Sequence, residues 1–494
     1  VSSKPATHHR QRPARNPHLA SATGCTSNSE YSFVGFSDPT SGPNYAGGDS
    51  SGVLSGALNE ACDLEDGIAA GEANGIGNNG GAEQSFIGAG FENVITGTDA
   101  VIGGGNRNFA AQYAFVGGGA VGSASGTGSV VVGGGYEYFS AQNFSIFSYG
   151  NMSTGTDAFI GAGDLNLASG SGSVVAGGGY AYAATGATAV GNQVKGTDSF
   201  IGAGDQNSVA ANEAIVGAGQ SNTIASAATY AVVAGGSMNA ISGLSGAIGG
   251  GSSNTVTGQY GTVSGGDGNL ASGNAATVAG GYKNLASGQF SFAAGFGSHA
   301  DTNGSFVWSD DSPTSGHLTP TAANEFIARA TGGVVFLTNA AETTGVKLAA
   351  GGGAWASASD RNLKRDVTNI NDAEVLAKVA ALPVAEWSYA SERGVRHVGP
   401  MAQDFYAAFK VGEDDRHITS IDEDGVALAA IKALHHENAG LHAENAALRE
   451  RLARDEARRT RDEARHVREL AALEGQIRAL AENAHLAIYR KASR

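Results

Sequence analysis

The sequence predicts a mostly β rod, a parallel β-roll or solenoid of about 15-residue coils, followed by an α+β module that ends in a long coiled-coil helix. Three observations carry this reading. The 76 glycines among 494 residues are about twice average usage, and they alternate with Val, Ile, Ala and Phe, whereas a disordered chain is poor in apolar residues and dense in charge. Asparagine recurs in one register, with Asn239, Asn254, Asn269 and Asn284 standing 15 apart. Apolar residues return at heptad spacing between Ile431 and Leu452, the signature of helices that wind round one another.

Taken in order, residues 1–30 hold Arg10, Arg12, Arg15, Pro5, Pro13 and the pair His8 and His9 in a polar, aperiodic background, and read as a flexible basic leader. Residues 31–85, rich in Gly, Ser and Asn but less regular, read as an irregular cap over the first coil. Residues 86–297 carry the repeat. The glycines four places after each Asn (Gly243, Gly258, Gly273, Gly288) keep step, and the string NLASG occurs at 166–170, 269–273 and 284–288. A second landmark, an apolar residue followed by glycine, recurs at Ile87, Ile102, Val116, Ile201, Val216 and Ile248. Each unit is therefore two short strands and two turns. Fifteen residues cannot close a globule, so the coils must stack, and about 14 of them at the ~4.8 Å strand spacing would span roughly 65 Å.

Stacking sets equivalent side chains above one another, which makes the recurrent Asn a hydrogen-bonded ladder and the recurrent Gly a turn residue suited to positive φ. Calcium-binding β-rolls repeat every nine residues around Asp; a period of 15 around neutral Asn favours structure over metal. No cofactor or metal site is expected.

The repeat resembles the head domain of trimeric autotransporter adhesins, whose units have the flavour of SxAxGxxNxASG. The resemblance implies a trimeric left-handed β-roll, and a thin core of Ala, Val and Gly gives physical reason to bury a face against two sister chains. The membrane barrel of that family has no counterpart here, because the sequence runs into a charged helix instead of alternating strands.

Charge is placed unevenly. Residues 1–350 hold 9 Lys and Arg against 23 Asp and Glu, and residues 351–494 hold 21 against 23. An acidic rod argues against nucleic-acid binding, which needs clustered cations. No run of 18 apolar residues predicts a membrane helix. No charged-then-apolar leader opens the sequence at Val1, which says nothing about export. The two cysteines, Cys25 and Cys62, either pair or remain buried or free thiols.

Residues 298–350 read as a neck, with a hairpin expected between 325 and 338 around Gly332 and Gly333. After Gly351, Gly352 and Gly353 the composition turns charged and helical, which sets the boundary of a C-terminal core at 351–425 and a helical tail at 426–494. Three strings follow in order: Trp355 to Lys364 (WASASDRNLK), His397 to Phe405 (HVGPMAQDF) and Ile418 to Val426 (ITSIDEDGV). Together they resemble the intramolecular chaperone domain of bacteriophage endosialidases and tail spikes, the peptidase S74 family. The resemblance implies that Ser359 and Lys364 form a catalytic dyad. Ser359 is then the nucleophile, and the bond Ala358–Ser359 is the one cut.

A hydroxyl next to its own peptide carbonyl needs no second substrate, and Ser-Lys pairs are known nucleophile and base combinations. Lysine serves as a base only when neutral, which requires burial or nearby positive charge. On a regular helix a spacing of five separates the two side chains by about 140°, so the segment must turn if they are to meet. Asp360 is a candidate supporting residue that alternatively reads as a helix cap, and His397 and Gln403 are candidate supports for the scissile carbonyl or for Lys364.

Heptad positions are filled by Ile431, Asn438, Asn445 and Leu452 on one register and by Leu434, Leu441 and Leu448 on the other. Leu at one core position with Asn at the other predicts self-association in a fixed register. Residues 453–466 are almost entirely Arg, Asp, Glu and Ala. The apolar pattern resumes at Leu470, Leu473, Ile477, Leu480, Ala484 and Ala487 in a shifted frame, so a stutter or a break is expected. The whole reads as a homotrimeric fibre or adhesin-like protein of a virion tail or bacterial surface. Its chaperone would release itself by autoproteolysis without turning over another substrate, and its rod would meet a glycan or host-cell surface. A spike-borne polysaccharide depolymerase and a non-cleaving binding module are the alternatives; for the first, the repeat offers scattered acids such as Asp157, Asp164, Asp198 and Asp205.

Overall fold

Strands of two residues are too short to stand alone, and those of the repeat stand only by stacking. The computed structural model describes residues 25, 29, 31–38, 40–77, 81–140, 145–179, 190–312 and 316–492; apart from Cys25 and Ser29, the leader expected at 1–30 lies outside them. The chain divides into two units, Val1–Gly332 and Gly333–Arg494.

The first unit is a parallel β-solenoid of about 17 turns. Thr262–Val263 lies between Ala247–Ile248 and the start of Thr277–Tyr282, parallel and in register. Eighteen strands stack in this way into one sheet and sixteen into the other. The second residue of each short strand points inward, so Ile248, Val263 and Val278 of one sheet face Ile241, Val256 and Ala271 of the other, all buried. The buried apolar cluster of the solenoid is made of Ala, Val and Ile alone. Each buried Val or Ile contributes roughly 1.5–3 kcal/mol, a thin supply per coil that accumulates only through stacking.

The asparagine ladder is present. Asn254 donates its backbone N–H to Asn239 Oδ1 at 3.0 Å and its Nδ2 to the carbonyls of Gly250 and Gly266. Its own Oδ1 accepts from the backbone N and the Nδ2 of Asn269 at 3.1 and 3.0 Å. Every polar atom of a buried amide is thus satisfied, as burial in a low-dielectric column requires.

The structure corrects four expectations. Residues 31–85 are not an irregular cap: Tyr45–Ala46 pairs with Glu60–Ala61 and that strand with Gly75–Ile76, while Asn44, Asn59 and Asn74 form the first rungs of the ladder. The recurrent glycines do not need positive φ. A Cβ on Gly243 or Gly258 would collide with the carbonyl of the next coil, so closeness of backbones selects glycine there. The left-handed residue falls two places later, at Ser245, Tyr260, Ala275 and Phe290 (φ 52°, 57°, 51° and 57°). No hairpin joins the two halves of 325–338, because Phe326–Arg329 pairs parallel with Phe306–Ser309 as the last rung of the solenoid. That rung satisfies the backbone a hairpin would have used. Finally, the C-terminal unit begins ahead of the triple glycine: Val334–Leu337 pairs antiparallel with Gly345–Leu348, and that strand with Trp355–Ser357.

Two further contacts tie the solenoid. Cys25 and Cys62 form a disulfide, which settles the alternatives left by the sequence. An inserted antiparallel hairpin, Tyr136–Ser140 with Tyr149 closing Ser145–Tyr149, is held to the stack by Arg107. That guanidinium is 2.8 Å from Glu92 and 3.0 Å from Glu137, and Asn106 also donates to Glu137 at 2.7 Å.

In the second unit, helices α1 (Asp372–Ala381) and α2 (Ala402–Phe409) precede α3 (Ser420–Ala492). Ala429, Ala430 and Ala433 of α3 are buried, and Lys432 reaches Asp372 of α1 at 2.6 Å. Thr419 opens α3 by accepting from the backbone of Asp422 and donating to its carboxylate at 2.7 Å, a reciprocal cap. The helix is unbroken through 453–466, so the change of heptad frame there is a stutter and not a break. No described helix is long and apolar enough to cross a membrane.

Candidate functional site

Strand Trp355–Ser357 delivers the chain to the Ser-Lys pair. Its partner strand still holds the next residue, through Ala358 N–H to the carbonyl of Gly345 at 3.2 Å, so the peptide entering the Ala358–Ser359 bond is fixed on its N-terminal side. The backbone then reverses. Asp360, with φ −65° and ψ 133°, accepts from the backbone N–H of Asn362 at 2.9 Å and opens a single 3₁₀ turn, Arg361–Leu363. Lys364 leaves that turn in extended conformation, φ −104° and ψ 144°.

This turn resolves the spacing problem. A continuous α-helix would have pointed positions 359 and 364 apart; one tight turn between two extended residues folds the lysine back. Lys364 Nζ donates to Ser359 Oγ at 2.7 Å. Asp360 is the cap the sequence suggested, and its carboxylate also accepts from Asn362 Nδ2 at 3.1 Å. Both dyad side chains are exposed in the single chain.

The other candidates lie elsewhere in the unit. His397, on strand His397–Gly399 beside Ala385–Trp387, places Nε2 3.0 Å from Glu392 and stacks on Trp387 at 4.7 Å between ring centroids, with Tyr389 at 5.6 Å. Its hydrogen bond therefore goes to Glu392 and not to Ser359 or Lys364. Gln403 is exposed in the first turn of α2, next to the buried Phe405. Sequence reasoning did not single out Glu392, which sits five residues before the histidine in a turn without periodicity. Trp387 Nε1 is buried with no hydrogen-bond partner among the described residues.

The acids considered for a depolymerase are divided between two corners of the solenoid. Asp157 and Asp198 take the left-handed turn position, φ 53° and 52°. Asp164 accepts from the backbone of Gly135 at 3.0 Å, and Asp205 bridges to Gln220.

Compared with known proteins, residues 359–411 match the family described as chaperone of endosialidase, Peptidase_S74. The matched segment opens on Ser359 itself and closes just past α2. No curated protein matches the chain.

Proposed function

Starting from a chaperone-of-endosialidase segment placed after a β-solenoid, we propose that the chain is a trimeric fibre or spike protein. Its C-terminal unit guides assembly of three copies and then separates by cutting the Ala358–Ser359 bond. The observation that carries the reading is the 2.7 Å contact between Lys364 Nζ and Ser359 Oγ, at the first residue of the matched segment.

The chemistry needs no outside reagent but water. Neutral Lys364 takes the proton of Ser359 Oγ as that oxygen bonds to the carbonyl carbon of Ala358. The C–N bond to Ser359 breaks, the amine takes up the proton from Lys364, and an ester links Ala358 to the serine side chain. Water then hydrolyses the ester, leaving a carboxylate on residue 358 and a free amine on residue 359. Lysine must be uncharged for the first step, and both groups are open to solvent in one chain. Covering by sister subunits supplies the missing burial, which makes assembly the trigger and the cut its consequence. The exposed heptad leucines of α3, Leu434, Leu441 and Leu448, supply the self-association. The disulfide fits an oxidising, extracellular or virion setting.

Expression of the full chain followed by intact-mass measurement tests this. Wild type should separate into pieces of 358 and 136 residues (494 − 358 = 136), while Ser359→Ala and Lys364→Ala stay whole. Sedimentation should give three copies in all forms. An uncut wild-type trimer after prolonged incubation removes the cleavage step, and a monomer removes the assembly role.

A further inference from the structure

Along one corner of the solenoid, the left-handed residues of successive coils are Tyr230, Ser245, Tyr260, Ala275 and Phe290, with φ 64°, 52°, 57°, 51° and 57°. They lie directly one above another: the N–H of Ser245 donates to Thr229 O, that of Tyr260 to Leu244 O, that of Ala275 to Gln259 O and that of Phe290 to Asn274 O, all at 2.8–2.9 Å. Aromatic and small residues alternate, so a ring stands on every second coil, about 9.6 Å from the next at ~4.8 Å per coil.

Folding does not account for these rings. A bulky residue at positive φ is strained, and the same turn position is filled by Gly128, Gly172 and Gly304 on other coils. Tyr230, Tyr260 and Phe290 are 56%, 56% and 66% exposed, and among the described residues no ring contact involves them. By contrast, Phe292, Phe306 and Phe326, on consecutive coils, stack at 4.6 and 4.7 Å. The alternate spacing leaves slots above the half-buried Ser245 and Ala275. Gln259 and Gln289, exposed beside Tyr260 and Phe290, have no side-chain hydrogen-bond partner among the described residues.

We propose that Tyr230, Tyr260 and Phe290 are the stacking platforms of a binding site for an uncharged, extended polysaccharide that runs along the solenoid. Aromatic faces are electron-rich and attract the C–H face of a sugar ring. An extended β-1,4-linked chain turns the same face outward at every second sugar, a repeat close to two coil spacings. The neighbouring amides offer both donors and acceptors to hydroxyls. Charge sets the class: from residue 221 to 300 the only Asp, Glu, Lys or Arg are Asp267 and Lys283, too few to hold a polyanion such as a sialylated or nucleic-acid chain. This goes beyond the assembly reading, and its failure leaves that reading intact because the two are read out separately.

The test is calorimetric titration of the full chain with neutral hexasaccharides (β-1,4-linked glucose, β-1,4-linked N-acetylglucosamine and β-1,3-linked glucose) beside a sialylated chain of equal length. At least one neutral hexasaccharide should bind and the sialylated chain should not. The triple variant Tyr230→Ala, Tyr260→Ala, Phe290→Ala should bind at least tenfold more weakly with melting temperature and oligomeric mass unchanged. Filling the slots with Ser245→Tyr and Ala275→Tyr should abolish binding with the fold retained, since tyrosine is already tolerated at this turn. The proposal is overturned if wild type ignores all three neutral chains, if the triple variant binds as wild type does, or if the sialylated chain binds more tightly. Loss of oligomeric mass in the triple variant also overturns it, since the row is then a contact between subunits.

Discussion

Asp66 occupies a column in which Ser51 and Ser85 stand below and above it, each strand residue that follows being paired across. It is 2% exposed, and burial pushes its carboxyl up to about 7, against the opposing pull of the N–H groups of Asp63 and Ser85. The raised value fixes the sign. Below about pH 4 the carboxyl is neutral in both folded and unfolded chains and costs nothing; as pH rises towards 7 the unfolded chain ionises freely while the folded one resists, so stability falls across that window and levels off above it. Asp66→Ser should therefore stabilise the fold most at pH 8, by on the order of a few kcal/mol, and least near pH 4, seen as a rise in melting temperature that shrinks as pH falls. Circular dichroism melts at pH 4, 6 and 8 measure it, and an equal gain at all three would count against the account. The same scale shows what sequence can and cannot give. Ser359 and Lys364 were legible as a pair by resemblance, but the 3₁₀ turn that joins them was visible only as a constraint. The partner of His397 was not legible at all, since Glu392 belongs to it through a turn and not through spacing.

Among the elements, α3 shows how far periodicity reaches. Its heptads gave the helix and its stutter, while its start at Ser420 depends on the Thr419 and Asp422 cap, which a period cannot reveal. Asn438 and Asn445 carry polar groups into what trimerisation would make a core, at some cost in stability. Changing both to Ile should raise the melting temperature of the helical tail and broaden the distribution of oligomers seen by light scattering. A single unchanged oligomer would show that register is set elsewhere. Between residues 86 and 297 the strands of the solenoid were legible from the 15-residue interval of Asn together with the apolar residue before glycine. The first coils were missed although Asn44, Asn59 and Asn74 keep it too, because Gly-rich and polar composition drowned a signal that rests on one residue per coil. Phe326–Arg329 was misread for a different reason: alternation identifies a strand but not its partner, and the last rung of the stack competed with a hairpin.

At the scale of the whole molecule, the solenoid is a column in which each coil is stabilised by the two that touch it, and its glycines serve closeness more than flexibility. The glycine excess and the 15-residue period revealed that architecture, whereas the left-handed turns filled by Tyr, Phe, Glu or Met were invisible, because no residue type advertises them. One interruption in the column has mechanical meaning. From Asn44 to Asn108, and again from Asn151 to Asn284, each amide oxygen accepts from the next backbone N–H, but Gly122, whose N–H donates to Asn108 Oδ1 at 2.9 Å, has no side-chain oxygen to offer the coil after it. Backbone pairing continues across that rung, but under tension along the axis it is expected to yield before the Asn-linked rungs on either side. Stretched between beads in an optical trap, the solenoid should part first at the coil of Gly122, and Gly122→Asn should raise the force of that first rupture without altering the later ones. The solenoid would then yield at one place, leaving the coils on either side wound.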